Sequence, residues 1–266
     1  MLRPKIKQPL ERALSRLGLY NRLKWSRLHE LFIRFNNPAY LRRQQDLLDW
    51  HRPFLRNDDL VFDLGASRGD RSAVYLALGC RVIAAEPDPW CQVELQNRFR
   101  HSKAFQLSKC AVSDQPGLAT FFRFEPGSGY NTLSEKRVAD LLESGEQKRP
   151  EPYDVEVTTL ARLIDQYGTP DYIKIDTEGL EREIIAGLVM APPLISFEAN
   201  LDGFRERSGD CVQLLSKLDN RYRFNCNEGD SEPLVHPEWL DEATFSSYIQ
   251  QVDRRYLEVF ASLRPT

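Results

Sequence analysis

The amino-acid sequence predicts an α/β fold built on a mainly parallel sheet. From Leu60 onward, short apolar runs of strand length alternate with longer segments of helical periodicity, and this alternation is typical of βαβ units. A glycine-containing turn joins the first apolar run, Leu60–Leu64, to the helix that follows it. The chain has 266 residues, of which 41% are hydrophobic, so it can bury a complete core of this kind.

The segment before the sheet is helical and basic. Residues 10–34 place apolar side chains at helical spacing, and Gly18 and Asn21 divide them into two helices. Residues 38–50 predict a third helix that begins at a proline. Residues 1–56 hold 13 Lys/Arg and 4 Asp/Glu, a balance of +9, whereas the remainder holds 23 and 35, a balance of −12. We therefore predict a basic helical extension over residues 1–56 and a single α/β domain over residues 57–266.

The first half of this domain consists of three strands separated by two helices. Each predicted strand is a short apolar run, as expected for strands that are buried on both faces of a parallel sheet. The predicted elements are the strand Leu60–Leu64, the helix Asp70–Leu78 closed by Gly79, the strand Arg81–Glu86, the helix Asp88–Phe99 and the strand Ala104–Leu107.

Residues 115–158 interrupt the alternation and predict an insertion that overhangs the functional site. The insertion is expected to contain the strands Leu118–Phe124 and Asp154–Val157, a loop with Tyr130 and Asn131, and a polar helix over Glu135–Glu143. The alternation then resumes with helices at Leu160–Tyr167, Leu180–Leu188 and near Cys211–Leu218, and strands at Tyr172–Asp176, Leu194–Glu198, Tyr222–Cys226 and near Tyr256–Phe260.

The turn after the first strand, within the segment VFDLGASRGD, is the first candidate for a binding site. A strand, a glycine-containing turn and a helix often bind a nucleotide, but D-x-G-x-x-x-G differs from the G-x-G-x-x-G of dinucleotide sites. Asp63 and Asp70 flank the turn. Carboxylates repel a pyrophosphate, whereas they suit the ammonium and sulfonium groups of S-adenosylmethionine. Gly65 and Gly69 allow a ligand to approach the backbone closely, although the pattern alone is equally typical of a tight strand–helix corner.

A carboxylate at the end of the second predicted strand strengthens this hypothesis. Glu86 occupies the position from which an acidic side chain accepts hydrogen bonds from ribose hydroxyls. Cys110 and Ala111 follow the third strand, where the adenine edge is expected. The predicted cofactor-binding residues are Asp63, Gly65, Ala66, Ser67, Gly69, Asp70, Glu86, Pro87, Cys110 and Ala111.

A second motif lies in residues 171–187, DYIKIDTEGLEREIIAG. A predicted strand ends at Asp176, and Thr177 and Glu178 follow it before the next helix. Ligands of open α/β sheets bind beyond the carboxyl ends of the strands, so Asp176 and Glu178 are expected at the same edge as Glu86. The structural alternative is helix capping by Asp176 or Thr177, with Glu178 in the first turn. Capping does not exclude a functional role.

On these motifs the chain resembles the FkbM family of methyltransferases. The matching segments are VFDLGASRGD, VIAAEPDP, CAVSDQPGLATFF, VTTLARLID and YIKIDTEG followed by LEREIIAGL, and they span about residues 59–200. The resemblance implies a class I, Rossmann-like methyltransferase fold: seven mostly parallel strands, the last antiparallel, with helices on both faces. It also implies S-adenosylmethionine as cofactor and, usually, O-methylation of a hydroxyl on a sugar, glycolipid or polyketide. By position, Lys174, Asp176 and Glu178 would belong to the active-site motif.

A hydroxyl is a poor nucleophile at neutral pH, so a nearby base is expected. We predict that Asp176 or Glu178 takes this role and that Lys174 anchors the motif. A Mg²⁺ site is the alternative, because Asp176, Glu198 and Asn200 all follow adjacent strands and carry oxygen ligands. No ligand spacing enforces such a site, and we predict no metal.

Composition and motifs argue against several other classes. The five cysteines are scattered and form no C-x-x-C pair, which disfavours a disulfide framework or a zinc site and favours a reducing cytoplasm. No apolar run reaches the ~18 residues of a membrane span. No nucleic-acid module is recognisable, and the N/D-P-P-Y/F motif of base amino-group methylation is missing.

Three questions stay open at this point. An NAD(P)-dependent oxidoreductase uses the same kind of sheet, although the turn departs from its glycine pattern. A non-catalytic partner protein with a methyltransferase fold is the second alternative. The basic N-terminus either contacts an anionic membrane surface or a charged acceptor, or it forms an ordinary solvated helical surface.

Overall fold

Ten strands and eight helices make up the part of the chain that the computed structural model describes, residues 37–229 and 232–265. The two helices predicted within residues 10–34 lie outside the described residues. In chain order the elements are α1 (Pro38–His51), β1 (Leu60–Leu64), α2 (Asp70–Ala77), β2 (Arg81–Ala85), α3 (Pro89–Phe99), β3 (Phe105–Ser108), β4 (Ala111–Ser113), β5 (Gly117–Arg123), α4 (Glu135–Glu143), β6 (Glu151–Thr159), α5 (Leu160–Tyr167), β7 (Tyr172–Ile175), α6 (Glu181–Ala186), β8 (Leu194–Asn200), α7 (Arg205–Leu218), β9 (Arg223–Asn227), α8 (Glu242–Gln251) and β10 (Tyr256–Ser262).

Seven of these strands form the main sheet, in the order β3-β2-β1-β7-β8-β10-β9. Neighbouring strands are parallel except for β10, which runs antiparallel to both β8 and β9. All five residues of β1 are buried, as expected for a parallel strand that is covered on both faces. The predicted class I sheet with an antiparallel last strand is therefore confirmed.

Helices cover both faces of this sheet because the side chains of each strand alternate between two cores. Phe62 of β1 belongs to a buried cluster that includes Val212 of α7. Val61, its neighbour in the chain, belongs to a different cluster with Tyr75 of α2 and Leu47 of α1. With both faces covered, the strand ends are the edges at which a ligand site can form.

The insertion folds into a smaller sheet of three strands in the order β4-β6-β5. β6 pairs with β5 in antiparallel register along the whole length of β5, which is why this strand is longer than the predicted Asp154–Val157. β4 was not predicted, because its three residues are too few to display a period. Its parallel pairing with β6 ties the insertion to the segment that directly follows β3.

α8 is the other element that the sequence did not predict. Its sequence, EATFSSYIQQ, buries only Phe245 and Ile249, so its apolar positions are too sparse to indicate a helical face. The remaining predicted elements within the described residues are present. Some have the predicted bounds, such as Leu60–Leu64 and Leu160–Tyr167, and others have shifted ends. The largest shift is at α7, which begins at Arg205 rather than near Cys211.

α1 packs directly on the α/β core. Leu47 is buried, and the ring centroids of Trp50 and Phe260 lie 4.7 Å apart. The division between an extension and a domain at residues 56 and 57 stays a prediction. Within the described part of the chain, no helix has the length and apolar character needed to span a membrane.

Candidate active site

The carboxyl ends of β1, β2 and β7 meet the insertion around a cavity of about 220 Å³. Asp176 and Glu178 of the second motif line this cavity. Six of the predicted cofactor-binding residues line it as well, namely Gly65, Ser67, Glu86, Pro87, Cys110 and Ala111. The two motifs and Glu86 therefore lie together at one edge of the sheet, as the sequence predicts.

The turn after β1 is shaped by contact with the end of β7. Gly65 has a φ of +79°, a left-handed conformation that favours glycine. A Cβ atom on Gly65 would lie 1.8 Å from the backbone oxygen of Asp176. Only glycine fits here, and the close approach of the two backbones fixes the floor of the cavity.

Four other predicted cofactor-binding residues, Asp63, Ala66, Gly69 and Asp70, do not line the cavity. Asp63 is 1% exposed, and its Oδ2 accepts a hydrogen bond from Ser72 Oγ at 2.6 Å. Burial raises the pKa of Asp63, and the nearby Lys174 ammonium opposes this rise. The Asp70 carboxylate forms an ion pair with Arg98, with Oδ1 2.7 Å from Nη1. The sequence predicts that the carboxylates of Asp63 and Asp70 both flank the ligand directly. In the structure neither lines the cavity, and the Asp70 carboxylate is paired with Arg98 of α3.

Glu86 follows β2 and is held by two backbone donors. Its Oε2 accepts from the amide of Ser67 at 2.7 Å, and its Oε1 accepts from the amide of Asp88 at 2.8 Å. Burial raises the pKa of Glu86 to about 7. Each oxygen retains a lone pair beyond these bonds, so the carboxylate can also accept from a vicinal diol. The two hydroxyls of a ribose are such a diol and could donate to the two oxygens of Glu86.

The insertion closes one side of the cavity and is fastened to the start of α3. Asp88 Oδ2 accepts from the amide of Gly127 at 3.0 Å and from Asn131 Nδ2 at 3.2 Å. Asn131 lines the cavity together with Ser128, whereas Tyr130, the other loop residue singled out from the sequence, is not among the lining residues. Asp88 was predicted only as the start of a helix, and it does cap α3. Nothing local in the sequence indicates its second set of bonds.

Lys174 and Asp176 form an ion pair at the end of β7. Lys174 Nζ lies 2.7 Å from Asp176 Oδ2, and the Lys174 side chain is 3% exposed. Burial opposes the lysine charge, but the carboxylates of Asp176, Glu258 and Asp63 outweigh burial and raise the pKa of Lys174. The lysine therefore stays charged in the interior.

Glu178 is held in an unusual backbone conformation with its side chain mostly buried. Its φ is +55°, and its side chain is 18% exposed. Its backbone oxygen accepts from Thr132 Oγ1 at 2.7 Å, and its Oε2 lies 3.6 Å from Arg137 Nη2. Burial and the neighbouring Asp176 raise the pKa of Glu178 to about 8, and Arg137 opposes this rise. Thr132 and Arg137, the two residues that contact Glu178 here, both belong to the insertion.

The alternative that Asp176 or Thr177 caps the helix after the second motif is wrong. α6 begins after Leu180 without a side-chain cap. Glu181 instead reaches back and accepts from the amides of Thr177 at 3.1 Å and Gly179 at 3.0 Å. Asp176 and Glu178 are thereby left available to face the cavity.

Three carboxylates crowd the end of β7 and β8. Asp176, Glu178 and Glu198 each have an oxygen within 4.8 Å of the others. Burial and the adjacent carboxylates raise the pKa of Glu198 well above its usual value. The Asn200 amide, which the Mg²⁺ alternative included, is adjacent to the Arg137 guanidinium. Acidic groups often cluster without a metal, and we assign none here.

The comparison with protein families decides among the open alternatives. Residues 63–224, more than half of the chain, match the methyltransferase FkbM domain. The chain belongs to the FkbM methyltransferase family. It is therefore a methyltransferase with S-adenosylmethionine as its cofactor, and the family, fold and cofactor predictions are confirmed. Membership of this family favours S-adenosylmethionine over NAD(P).

Individual similar proteins include an enzyme of known acceptor. The 31-O-demethyl-FK506 methyltransferase FkbM of Streptomyces tacrolimicus is 29% identical over 213 residues, which cover 68% of this chain and 76% of that protein. Among solved structures, precorrin-6y C5,15-methyltransferase from Geobacter metallireducens has a TM-score of 0.43 at 12% identity, covering 82% of this chain and 85% of its own. Aeropyrum pernix fibrillarin, in complex with S-adenosyl-L-methionine, has a TM-score of 0.40 at 11% identity, covering 77% and 67%.

Proposed function

We propose that this methyltransferase transfers the methyl group of S-adenosylmethionine to a hydroxyl oxygen of a sugar, glycolipid or polyketide-type acceptor. The observation that carries the proposal is the place of Glu178, a mostly buried carboxylate that lines the cavity and whose pKa is raised by burial and by the neighbouring Asp176. A general base works best when its pKa lies near the working pH. The Streptomyces relative, a methyltransferase of 31-O-demethyl-FK506, supports the same reaction type.

The cofactor side of the cavity is assigned to the residues that follow β1, β2 and β3. Glu86 would accept hydrogen bonds from the two ribose hydroxyls, with Pro87 beside it. The backbone of Gly65 and Ser67 would hold the amino-acid portion, with Asp63 buried behind the turn. Cys110 and Ala111 would border the adenine. Each assignment rests on the place of the residue at or behind the cavity wall.

The acceptor side is assigned to Glu178 and the insertion. Bound S-adenosylmethionine supplies a methyl group activated by a positively charged sulfur. Glu178 would take the proton of the acceptor hydroxyl, which makes that oxygen a better nucleophile for the methyl group and leaves S-adenosylhomocysteine as the second product. The cavity walls would hold the acceptor beside Glu178. Asp176 is the alternative base, but its Oδ2 already accepts from the Lys174 ammonium. The Lys174–Asp176 pair instead anchors the motif and balances charge.

The acceptor class is tested by label transfer. The purified full chain is incubated with S-adenosylmethionine that carries a labelled methyl group and, in parallel, with glycan, glycolipid, protein and nucleic-acid extracts. We expect label in a hydroxyl-bearing glycan or glycolipid fraction, stable to conditions that cleave methyl esters. Label confined to protein or nucleic acid would contradict the proposal.

We also propose that residues 1–56, with their balance of +9, make peripheral contact with an anionic membrane surface in the cytoplasm. Such contact is electrostatic and weakens with salt. Vesicles with anionic lipid should retain the protein at low ionic strength, and vesicles of neutral lipid should not. Failure of the anionic vesicles to retain the protein would contradict this contact and leave the solvated-surface interpretation.

A further inference from the structure

One side chain of the insertion reaches the proposed base from behind. Arg137 lies in the first turn of α4, where its amide donates to Ser134 Oγ at 3.2 Å. Its Nη2 lies 3.6 Å from Glu178 Oε2. With the Asn200 amide placed so that its oxygen faces the guanidinium, that oxygen accepts from Nη1 at 3.0 Å and from Nη2 at 3.1 Å. Arg137 thus joins the insertion to the ends of two strands of the main sheet.

The same part of the insertion holds the backbone of Glu178. Thr132 is fully buried, and its Oγ1 donates to the backbone oxygen of Glu178 at 2.7 Å. That Oγ1 also accepts from the amide of Ser134 at 2.9 Å, just before α4. A non-glycine residue with positive φ, such as Glu178, persists only where its surroundings over-determine it. The insertion supplies this constraint at both the backbone and the carboxylate.

Arg137 does not share the cavity in which the cofactor and acceptor are proposed to bind. It lines a separate small cavity of about 20 Å³ together with Glu198 and Asn200. Glu178 borders both cavities, and its Oε1 faces Gly129 on the larger side. Glu178 is therefore the residue that connects Arg137 to the larger cavity.

The hydrogen bonding of the Arg137 side chain is incomplete, so it does not by itself explain an arginine at this position. Its Nε is buried and has no hydrogen-bond partner among the described residues. An unpaired buried donor is unfavourable, and a shorter or apolar side chain on α4 would avoid this cost. The guanidinium is the group that pairs with the carboxylate.

We propose that Arg137 is a positioning residue, which holds the Glu178 carboxylate with one oxygen directed to the cavity and completes the site only when the insertion is docked. The proposal rests on the proposed role of Glu178 as base. It makes the insertion a functional part of the active site rather than a cover over it.

Charge supports the same role. The charged groups around Glu178 are Asp176 and Lys174 from β7 and its following loop, Glu181 from α6, Glu198 from β8 and Arg137 from α4. Burial and Asp176 raise the pKa of Glu178, whereas Arg137 lowers it. Without Arg137 the pKa of Glu178 should rise further. A smaller fraction of the Glu178 carboxylate would then be ionised at neutral pH, so less of the protein would carry an active base.

The first measurement needs no acceptor. The full chain is labelled with ¹³C at the glutamate carboxyl, and the Glu178 signal, assigned by its loss in Glu178→Gln, is titrated by NMR. We expect its apparent pKa to rise by about half a unit or more in Arg137→Gln, and to return most of the way in Arg137→Lys. The control is Arg123→Gln, which removes another arginine of the insertion, one that pairs with Glu151 at 2.6 Å. That control should leave the titration unchanged.

The second measurement uses the extract fraction that takes up most label from S-adenosylmethionine. In Arg137→Gln we expect turnover at neutral pH to fall about tenfold or more, with the rising limb of the pH–rate profile moved to higher pH and the affinity for S-adenosylhomocysteine unchanged. In a Glu178→Gln background, Arg137→Gln should have no further effect, because both changes act on one group. Arg137→Lys covers the case in which the glutamine variant fails to fold.

The outcomes separate the two proposals. If Glu178→Gln is inactive but Arg137→Gln keeps the wild-type titration and pH profile, the positioning role is overturned and the base is not. If Arg137→Gln lowers turnover equally in both backgrounds, its effect is structural and the positioning role is also overturned. If Glu178→Gln is fully active, the failure lies in the assignment of the base.

Discussion

The two sides of the cavity are built by different kinds of contact. On the proposed cofactor side, Glu86 is held by the backbone amides of Ser67 and Asp88, and the floor is set by the approach of Gly65 to the backbone of Asp176. On the proposed acceptor side, Glu178 is held by side chains of the insertion. Backbone contacts depend on strand register and, apart from the glycine required at position 65, little on which side chains are present, whereas side-chain contacts change with each residue. A constant cofactor site can therefore coexist with a variable acceptor site.

The sharpest test of this division removes the charge of Glu178. Glu178→Gln keeps the size of the side chain and loses the base, so we expect turnover to fall by roughly 10²–10⁴-fold. Affinity for S-adenosylhomocysteine, measured by calorimetry, should stay within about twofold, because the change lies on the acceptor side.

Asp176→Asn is the matched variant for the alternative base. It also removes the partner of Lys174, which lies 2.7 Å away, and we expect turnover to be nearly abolished with cofactor affinity nearly intact. If cofactor affinity collapses while turnover at saturation survives, Asp176 belongs to the cofactor side and the division is misdrawn.

A substitution at Gly65 should disrupt the cofactor side as a whole. In Gly65→Ala the new Cβ meets the Asp176 oxygen at 1.8 Å, at a φ of +79°, so we expect a loss of about 3 kcal/mol or more in unfolding free energy. Urea denaturation measures this loss, and S-adenosylhomocysteine should no longer stabilise the variant. The control is Gly209→Ala in α7, whose Cβ meets Gln250 Nε2 at an ordinary 3.5 Å. Equal stability of the two variants would argue against the close approach.

Glu86 should affect affinity more than turnover. Loss of charged hydrogen bonds to two hydroxyls in Glu86→Gln should weaken S-adenosylhomocysteine binding by roughly 10–100-fold. Because burial raises the pKa of Glu86 to about 7 and the ionised form is the acceptor, wild-type affinity should fall as the pH drops below 7. The decrease is at most about tenfold per pH unit. Calorimetry at pH 6, 7 and 8 checks this, and the glutamine variant should show a flatter dependence.

The smallest effect is expected from removing divalent metals. The cluster of Asp176, Glu178 and Glu198 already faces two cationic side chains, Lys174 and Arg137. Dialysis against EDTA should leave label transfer within about twofold of the untreated protein. Loss of transfer that Mg²⁺ restores would instead assign these carboxylates to a metal and remove Glu178 from the role of base.

The difference between the two sides also explains how much the sequence could predict. β1, β2 and β7 are short apolar runs, and residues that follow parallel strands must meet at one edge, so Gly65, Glu86 and Asp176 could be placed from the sequence. The same argument placed Glu178 beside Asp176, and the family resemblance added that both belong to an active-site motif. The position of each strand end depends on the strand itself and on its place in the sheet. Both can be recognised from the short apolar runs in the sequence.

Side-chain orientation across elements leaves no such pattern. The direction of Asp70 depends on Arg98, one helix away, and local spacing does not indicate that pair. Arg137 lies in a polar helix whose sequence resembles any solvated helix, and its contact with Glu178 exists only because the insertion folds back onto the strand ends. Such contacts follow from tertiary packing, which periodicity does not encode.

The meeting of Gly65 and Asp176 has a consequence for how the chain acquires its ligand site. β1 pairs with β7, a strand that follows the whole insertion in the chain. Contacts between distant segments form late, because closing a long loop costs entropy before any contact repays it. A chain emerging from the ribosome therefore has no floor to its cavity until β7 has been made. Binding of S-adenosylhomocysteine would accordingly report on completed folding of the sheet rather than on its first half.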